Sequence, residues 1–571
     1  MDLREIIDVA TGRNRCDLLL KNGQVVNVLS GEVVPADVAV HGGLIVAMES
    51  LPAERVIDLQ GRFVTPGFID AHVHIESSMV TVSQYARAVV PQGTTAAVID
   101  PHEIANVLGK AGVRAMLDES ESGPLDVFVM VPSCVPATAM ETSGAELSAQ
   151  DIASFYAHPS VLGLAEMMNF PGVLFKDPGV LEKIRAAKDG RVDGHAPGLS
   201  GRNLSAYIAA GIGSDHECTT VEEAREKIRK GMCVFIREGT AAKNLEALVP
   251  MVRPENADCF AFCTDDRHPF DLLRQGHLNY LIRRSVELGL DPVLAVRLAT
   301  RNPARYFGLR NRGAVAPGYI ADLAIVEDLR TLRVLAVYKN GRIAAENGVL
   351  DPRFTASPGM QQEASVRVNP FGVERFEIKA EGTKKLRAFR MIPGQILTRA
   401  EWIVPKTVNG KVVCDLESDV LKIAVLERHR GTGNIGVGMV RGFGLKQGAL
   451  GSSVAHDSHN LIVVGTNDAD IKAAADALIR MQGGLVAVKD GRVLCELSLP
   501  VAGLMTREPL ENVSERLEAL KQTARSMGCE VDDPFMQLSF LALPVIPELK
   551  LTDRGLFDVN AFKPVPLFGD G

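Results

Sequence analysis

Between residues 66 and about 310, short apolar runs alternate with segments of helical periodicity. Segments such as VTVSQYARAVVPQG and VEEAREKIRKG repeat apolar residues every three or four positions, as amphipathic helices do. Eight apolar runs end in polar residues: GFIDAHVH, TTAAVID, DVFVMVPS, VLGLAEMM, RVDGHAP, GIGSDHE, MCVFIREG and CFAFCTDD. This alternation predicts an α/β fold built on a (β/α)8 TIM-like barrel, in which the active site lies at the C-terminal ends of the strands.

The segments that flank this region have a different pattern. Residues 17–64 and 321–348 alternate apolar and polar positions around Asn-Gly and Gly-Gly turns, which is typical of short strands. We therefore predict a small composite β domain from residues 1–65 and 311–365, on either side of a catalytic barrel over 66–310.

The C-terminal third of the chain changes texture again. The segment SPGMQQEASVRVNP is typical of a linker, and residues 376–571 mix strands with helical segments such as DADIKAAADALIRMQ and NVSERLEALKQTARSMG. We predict a third domain of the α+β class over residues 376–571.

Charge and cysteine content narrow the class of partner. The net charge of −8 and pI of about 5.9 indicate no basic surface that would bind nucleic acid or an anionic membrane. The nine cysteines form no C-x-x-C pair, which favours reduced thiols. No apolar run approaches the roughly 20 residues that span a bilayer, and the N-terminus lacks the basic start of a signal peptide. We expect a cytoplasmic protein that binds a small molecule.

Five of the eight predicted strand ends carry residues that bind metals. In the H-x-H pair of the first strand, the i, i+2 spacing points both imidazoles to one side of an extended segment. A single histidine at such a position is more often a core or surface residue than a ligand. Six donors at strand ends of one barrel nevertheless predict a metal site: His72, His74, Glu166, His195, His216 and Asp265.

The residues around these donors resemble a known family. The segment TPGFIDAHVHIESSM is similar to the first-strand signature of the amidohydrolase superfamily. Further segments resemble the bacterial adenine deaminases, and the similarity spans nearly the whole chain: PHEIANVLG at 101–109, GLAEMMNFPGV at 163–173, DGHAPGLSGRNLSAY at 193–207, GIGSDHECT at 211–219, FCTDDRHP at 262–269 and SSVAHDSHNLIVVG at 452–465.

The resemblance implies a binuclear metal centre. Many binuclear amidohydrolases bridge their metals with a carboxylated lysine on the fourth strand, whereas this chain offers Glu166, as the resemblance implies. By the same carry-over, His72, His74, Glu166 and Asp265 hold one divalent ion, and Glu166, His195 and His216 hold the other. The resemblance implies manganese or iron, although zinc also suits histidine and carboxylate ligands.

The implied reaction is hydrolytic deamination of a purine base, adenine, to hypoxanthine and ammonia. Two divalent ions that share a water lower its pKa and supply hydroxide near neutral pH. Asp265 is the candidate proton shuttle, and its alternative role is that of a ligand alone.

Further polar residues follow the predicted strands. Glu76 and Glu103 are candidates to hydrogen-bond or protonate a ring nitrogen, or to orient metal-bound imidazoles instead. Ser77 and His102 are expected to face the substrate. Arg237 either binds substrate or pairs with its neighbour Glu238.

Three further residues lie in the third domain. His456, Asp457 and His459 form a polar cluster in an apolar stretch, and this cluster is either a substrate-facing lid or a surface turn. We also predict from extended backbone at the sixth strand end that Glu217 points away from the pocket.

Two other classes of protein remain open at this point. One is a different binuclear amidohydrolase that acts on another heterocyclic amine or a cyclic amide. The other is a non-catalytic metal-dependent scaffold, which the complete donor set disfavours. A homodimer is compatible with the exposed barrel helices and the third domain, but no residue indicates it.

Overall fold

The chain begins with a short helix and five strands. The computed structural model describes residues 2–121, 123–187, 190–354, 360, 364–392, 395 and 397–570, so part of the predicted linker at 357–370 lies outside the described residues. Helix α1 (Leu3–Ala10) is followed by β1 (Cys16–Asn27), β2 (Glu32–His41), β3 (Leu44–Ala47), β4 (Ala53–Asp58) and β5 (Phe63–Pro66).

Eight strands come next, and each coincides with one of the apolar runs identified in the sequence. They are β6 (Phe68–Val73), β7 (Thr94–Ile99), β8 (Asp126–Val131), β9 (Val161–Met167), β10 (Arg191–Gly194), β11 (Ser214–Asp215), β12 (Cys233–Arg237) and β13 (Phe260–Cys263). Strands β6 to β10 form one parallel sheet, and β11 to β13 form another.

Backbone hydrogen bonds join these two sheets at both edges. Gly213 N donates to Val192 O (2.9 Å), which links β10 to β11, and Asp265 N donates to His72 O (3.0 Å), which links β13 to β6. The eight strands therefore close on themselves, and the predicted (β/α)8 barrel is confirmed.

Helices connect the barrel strands. They are α2 (Val82–Val89), α3 (His102–Leu108), α4 (Lys110–Ser120), α5 (Ala149–Ala153), α6 (Phe170–Phe175), α7 (Pro178–Ala186), α8 (Gly201–Ala209), α9 (Val221–Arg229), α10 (Leu245–Leu248), α11 (Pro269–Arg274), α12 (Leu278–Glu287), α13 (Pro292–Leu298) and α14 (Arg301–Tyr306). Short 3-10 helices span Ile75–Ser78, Val90–Gln92, Val249–Met251 and Ala257–Cys259.

Helix α9 shows why these segments fold as helices. The Thr220 side chain accepts from Glu223 N (3.3 Å) and caps the first turn, and acidic residues follow it, as the helix dipole favours. Ala224 and Lys227 face the barrel and are buried, whereas the other side is polar.

Apolar side chains fill the interior of the barrel. One cluster of buried residues combines side chains from strands on different sides of the barrel, so it occupies the barrel interior. Its members include Ala71, Val98, Met130, Ala165, Phe235 and Ala261.

The chain then returns to the N-terminal sheet. Strands β14 (Leu323–Val326), β15 (Val334–Lys339), β16 (Arg342–Glu346) and β17 (Val349–Leu350) complete a nine-stranded sheet in the order β17-β16-β15-β14-β5-β1-β2-β3, with β4 beside β1. Strand β14 pairs antiparallel with β5, so that Ile325 lies opposite Val64. Both flanks of the barrel thus build one β unit.

The C-terminal part combines strands and helices. Its strands are β18 (Ile378–Lys379), β19 (Lys385–Met391), β20 (Thr398–Ile403), β21 (Thr407–Val408), β22 (Lys411–Val412), β23 (Val420–Leu426), β24 (Ile435–Arg441), β25 (Ala449–Ser452), β26 (Leu461–Gly465), β27 (Gly484–Lys489), β28 (Arg492–Ser498), β29 (Leu549–Thr552), β30 (Gly555–Asp558), β31 (Lys563–Pro564) and β32 (Phe568–Gly569). Its helices are α15 (Asp468–Met481), α16 (Leu510–Ser526) and α17 (Pro534–Ser539), with a 3-10 helix at Val373–Phe376.

Nine of these strands form a second large sheet, in the order β20-β19-β24-β23-β26-β25-β27-β28, with β32 beside β19. The α+β character predicted for this region is confirmed. The loop between β25 and β26, residues 453–460, is largely buried. Across the described part of the chain, no helix is long and apolar enough to cross a membrane.

Candidate active site

Two histidines at the end of β6 lie side by side. The Nε2 atoms of His72 and His74 are 3.2 Å apart, and they lie 3.4 Å and 3.1 Å from Asp265 Oδ1. His74 Nδ1 is 2.8 Å from the carbonyl oxygen of Asp100, an acceptor, so Nδ1 carries the proton and donates it. In the neutral imidazole, Nε2 of His74 is therefore left with a free lone pair for a cation.

Glu166, on β9, lies between two pairs of histidines. Its Oε1 is 3.5 Å from His74 Nε2 and 3.9 Å from His72 Nε2. Its Oε2 is 2.8 Å from His195 Nδ1 and 3.3 Å from His216 Nε2. One carboxylate thus presents a separate oxygen to each pair of histidines, an arrangement that would suit a ligand shared by two ions.

Two of the buried atoms that could bind metal ions lack hydrogen-bond partners. Glu166 Oε2 and His195 Nδ1 lie 2.8 Å apart, within ion-pair distance, yet neither atom makes a hydrogen bond of suitable geometry to any described residue. Buried polar atoms without a partner are rare and costly. Two groups of ligand atoms close enough to hold one ion each are His72, His216 and Asp265, and Glu166, His195 and His216.

Asp265 follows β13 in the left-handed backbone region, with φ of 55°. Arg237 Nη1 donates to its Oδ2 (2.7 Å), which leaves Oδ1 facing the two histidines of β6. Burial raises the pKa of Asp265, but the Arg237 guanidinium and the histidines outweigh this and hold the pKa well below its usual value. Asp265 is therefore an anion with a fixed orientation.

Arg237 is held by two carboxylates. It pairs with Asp265 and, through both terminal nitrogens, with Glu217. The expected partner Glu238 instead accepts from Leu245 N, because neighbouring residues at a strand end point to opposite sides. An Arg237 in two ion pairs orients Asp265, and a direct contact with substrate stays a prediction.

The prediction for Glu217 is wrong. Its Oε1 lies 3.5 Å from His195 Nδ1 and 3.6 Å from His216 Nε2, so the side chain points toward the candidate active site. Strand β11 is only two residues long, and beyond it Glu217 N donates to the side chain of Asp215 (Oδ2, 3.0 Å). The alternation of an extended strand therefore does not reach this residue.

Glu76 and Ser77 lie in the 3-10 helix that follows β6. Glu76 Oε1 accepts from Ile104 N (3.2 Å), whereas Oε2 is buried without a partner in the described structure. Burial raises the pKa of Glu76 to about 7. Ser77 Oγ donates to Asp266 Oδ1 (2.5 Å). Glu76 thus has one oxygen available for another molecule.

His102 and Glu103 begin α3 and meet the third domain. His102 Nδ1 lies 3.2 Å from Asp100 Oδ2, and its Nε2 lies 3.4 Å from Glu103 Oε1. Glu103 contacts both His456 and His459 of the 453–460 loop. The cluster in the third domain is therefore buried against the barrel and is not a surface turn.

Asp457 lies in the same loop. Its Oδ1 is 4.0 Å from His102 Nε2, and its Oδ2 is buried with no partner among the described residues. Burial raises the pKa of Asp457 to about 6. Its carboxyl group, like that of Glu76, is open to another molecule.

Sequence reasoning missed two carboxyl groups of this region. Asp100 contacts His102 through its side chain and His74 through its carbonyl, and its position at the end of β7 was a usable signal. Glu141 lies in an irregular segment that gives no such signal. It is buried, and burial and the charge of Asp457 raise its pKa well above the usual value.

Comparison with known proteins agrees with this site. The model of the amidohydrolase family matches residues 63–344, and the model of the adenine deaminase C-terminal domain matches residues 395–563. An adenine deaminase of Desulfatibacillum aliphaticivorans is 55% identical over 99% of both chains. One of Methanothrix thermoacetophila is 49% identical over 100% of both chains, and "Adenine deaminase 2" of Carboxydothermus hydrogenoformans is 48% identical over 99% of both. The chain therefore belongs to the adenine deaminase family.

Proposed function

We propose that this chain hydrolyses adenine to hypoxanthine and ammonia, as a step of purine salvage or catabolism. The observation that carries the proposal is Glu166, whose two oxygens face two separate histidine pairs at the C-terminal end of the barrel. Relatives that match the whole chain are named adenine deaminase, which supports the choice of substrate.

Members of the amidohydrolase family depend on metals, and the donor set suits two divalent ions. We assign His72, His74, Glu166 and Asp265 to one ion, and Glu166, His195 and His216 to the other. Such ions supply hydroxide near neutral pH and stabilise developing negative charge. A histidine and carboxylate set without a thiolate suits manganese, iron and zinc alike. The family resemblance makes manganese or iron our first choice, with zinc as the alternative.

The reaction needs two proton transfers. Water adds its oxygen to C6 of adenine, one of its protons ends on the adjacent ring nitrogen, and the other leaves with the amino group as ammonia. We assign the transfer of a proton to the amino group to Asp265, which Arg237 orients. We assign the proton transfer at the ring nitrogen to Glu76, whose pKa is about 7 and whose Oε2 has no hydrogen-bond partner among the described residues.

Other polar groups line the same region and would bind the purine. Ser77 follows β6, His102 follows β7, and Asp457 approaches from the third domain. Asp457 Oδ2 has no partner among the described residues and is the clearest candidate for a contact with a purine nitrogen.

Location and assembly are further proposals. All nine cysteines are free thiols, which supports a reducing compartment such as the cytoplasm. A homodimer is a separate prediction, which analytical ultracentrifugation of the purified protein tests.

The test is a direct assay on protein expressed in manganese-supplemented medium. We expect the ultraviolet spectrum of adenine to change to that of hypoxanthine, with one ammonia released per adenine and about two metal ions per chain. His195→Ala and Asp265→Ala should each lower the rate by several orders of magnitude and lower the metal content. No change on adenine with two bound ions would redirect the assignment to other heterocyclic amines or cyclic amides.

A further inference from the structure

A carboxylate of the barrel is held on both oxygens by the third domain. Glu103 Oε1 lies 2.7 Å from His456 Nδ1, and Glu103 Oε2 contacts His459 Nε2. The three side chains are buried, with exposed fractions of 2%, 6% and 1% for Glu103, His456 and His459. We call this group the Glu103 clamp.

The position of the protons favours hydrogen bonds in the clamp over a metal ion. Ala455 N donates to His459 Nδ1 (3.1 Å), so Nδ1 is unprotonated and Nε2 carries the hydrogen that it donates to Glu103. A metal at Nε2 would require the opposite tautomer, which sets two N–H groups against each other. The His456 ring stacks on Phe540 with centroids 4.7 Å apart, which fixes its Nδ1 toward Glu103.

Charge supports the same assignment. Burial raises the pKa of Glu103, but His456, His459 and His102 outweigh it and hold the pKa well below its usual value. Burial lowers the pKa of His456, yet the charge of Glu103 raises it to about 9. Burial lowers the pKa of His459 to about 4. The clamp is thus an anion, a cation and a neutral imidazole, and it needs no further ion.

The side chain of His102 connects the Glu103 clamp to the proposed metal ligand Glu166. His102 Nε2 lies 3.4 Å from Glu103 Oε1, and His102 Nδ1 lies 3.2 Å from Asp100 Oδ2 and 3.6 Å from Glu166 Oε1. The ring of His102 therefore lies between carboxylates on both of its nitrogens. Glu103 therefore faces the Nε2 side of the ring, and Asp100 and Glu166 face its Nδ1 side.

The loop that carries the clamp is itself fixed. The fully buried Arg428 donates through Nε to His459 O and through Nη2 to Ala502 O (3.0 Å). Asn460 Nδ2 donates to Thr142 O of the barrel (2.9 Å). These bonds give the loop one defined position against the barrel.

We propose that His456 and His459 are positioning residues: by holding both oxygens of Glu103 they fix His102 beside Glu166. The third domain is then a working part of the active site, and Glu103 is not a proton donor to substrate. This inference rests on the proposed function for its activity readout. It also has a structural readout that does not depend on that function.

Amide side chains provide matched variants. Asparagine can place its N–H where His Nδ1 lies, and glutamine can place its N–H where His Nε2 lies. His456→Asn and His459→Gln therefore keep the donor to Glu103, whereas His456→Gln and His459→Asn misplace it. We expect the first two to stay within about threefold of wild-type kcat/KM and the second two to lose about 10- to 100-fold.

Metal content and melting temperature are measured on all four variants. Two ions per chain and near-wild-type unfolding are expected throughout. A third metal equivalent that disappears in His459→Asn would overturn the proposal in favour of a metal site. If His459→Asn does not fold, His456→Gln tests the same carboxylate. Equal activity in matched and mismatched variants would also overturn it.

A double-mutant cycle tests whether the clamp acts through His102. In protein that already carries His102→Gln, we expect the addition of His459→Asn to lower kcat/KM by less than about threefold. The reason is that the residue that His459 positions is already absent. Losses that multiply independently would mean that the clamp acts elsewhere, for example on substrate directly.

A crystal structure of His459→Asn supplies the readout that is independent of activity. The proposal expects the His102 ring to turn away from Glu166 relative to the wild-type crystal structure, and an unchanged ring would overturn it. If wild-type protein fails to deaminate adenine, the proposed function fails alone, and the ring position still decides the role of the clamp.

Discussion

Glu76 and Glu103 are buried carboxyl groups on successive strand ends, yet their surroundings give them different roles. Glu103 has both oxygens occupied by imidazoles, which keeps it ionised. Glu76 Oε2 has no hydrogen-bond partner in the described part of the chain, and burial raises the pKa of Glu76 to about 7. A carboxyl group whose pKa is near 7 can both give and take a proton, so we propose Glu76 as the acid-base group.

Glu76→Gln keeps the size of the side chain and removes this proton transfer. We expect kcat for adenine to fall by about 10²- to 10⁴-fold, because general acid-base groups contribute on that order. The metal content should stay at about two ions per chain. Steady-state kinetics with elemental analysis measures both quantities.

Glu119→Gln is the matched control, since Glu119 is equally buried but accepts hydrogen bonds from Ser83 N and Oγ in the first turn of α2. Its activity should stay near that of wild type. A Glu76→Gln enzyme with full kcat would show that the ring nitrogen receives its proton from another group.

Asp533 pairs with a lysine of the third domain and faces a histidine of the barrel. It lies 2.6 Å from Lys521 Nζ and 3.6 Å from His268 Nδ1, and its Oδ1 caps α17 by accepting from Met536 N. Burial raises the pKa of Asp533, but His268 and Lys521 outweigh it and lower the pKa well below its usual value. The pKa of Asp533 is lower in the folded than in the unfolded protein, so the ionised side chain stabilises the fold. This contribution is present above about pH 4 and is lost as the pH falls below that value.

Asp533→Asn should therefore lower the free energy of unfolding by about 1–2 kcal/mol at pH 7, and the difference from wild type should shrink below about pH 4. Asparagine can still cap α17, so the loss reports on charge. Urea unfolding from pH 7 to pH 3 measures it. Asp532→Asn is the control, because that neighbouring side chain is fully exposed. A difference that does not change with pH would contradict the assignment.

At the scale of elements, the sequence predicts the barrel strands well because each combines a short buried run with a polar end. The same logic predicts His72, Glu166, His195 and Asp265 as metal ligands from the order of residues alone. It failed for Glu217, where a two-residue strand ends the alternation. It could not show the contact of Glu103 with His459, because the two residues are 356 positions apart and only tertiary packing brings them together.

Helix α9 supports the loops that carry two of the predicted metal ligands. Lys227 is fully buried and donates to Ala196 O (2.8 Å), Asp215 Oδ2 (3.0 Å) and Glu223 Oε1 (2.8 Å). Asp215 in turn accepts from Ala196 N (2.8 Å). Ala196 and Asp215 are the chain neighbours of His195 and His216, so one lysine fixes both loops.

Lys227→Met should leave Asp215 buried without its cation. We expect the free energy of unfolding to fall by about 3–5 kcal/mol, which is the usual cost of breaking a buried ion pair. We also expect a lower affinity for the metal ion that is assigned to His195 and His216. Urea unfolding and metal content after dialysis measure the two effects.

Lys230→Met is the control on the same helix. Lys230 pairs with Glu226 at the partly exposed surface, and its loss should cost less than about 1 kcal/mol. Metal retention equal to wild type in Lys227→Met would show that the histidines are held without this support.

On the scale of the whole molecule, the barrel and the third domain share one core. A single cluster of buried residues includes Val80, Val89 and Val131 of the barrel together with Met505 and Leu538 of the third domain. Polar contacts reinforce this packing over long sequence separations. Thr142, after β8, donates from N (2.9 Å) and Oγ1 (2.7 Å) to Asp553, which lies 411 positions later.

Two domains that share a core should unfold together, because loss of one exposes apolar surface of the other. The chain offers a convenient probe, since its one tryptophan, Trp402, lies on β20 of the third domain and stacks against Arg387. Helices α2 to α14 all lie in the barrel region, so circular dichroism at 222 nm reports mainly on the barrel. We expect both signals to change at the same urea concentration.

Trp402→Phe removes the fluorescence change and verifies its source. A tryptophan transition at lower urea than the loss of helix signal would mean that the third domain detaches from a stable barrel. In that case it would be an accessory domain, and activity should persist after it unfolds. If the active site is assembled from both domains, both signals and the activity should be lost at the same urea concentration. The reason is that Glu103 separates from His456 and His459 as soon as the shared core opens.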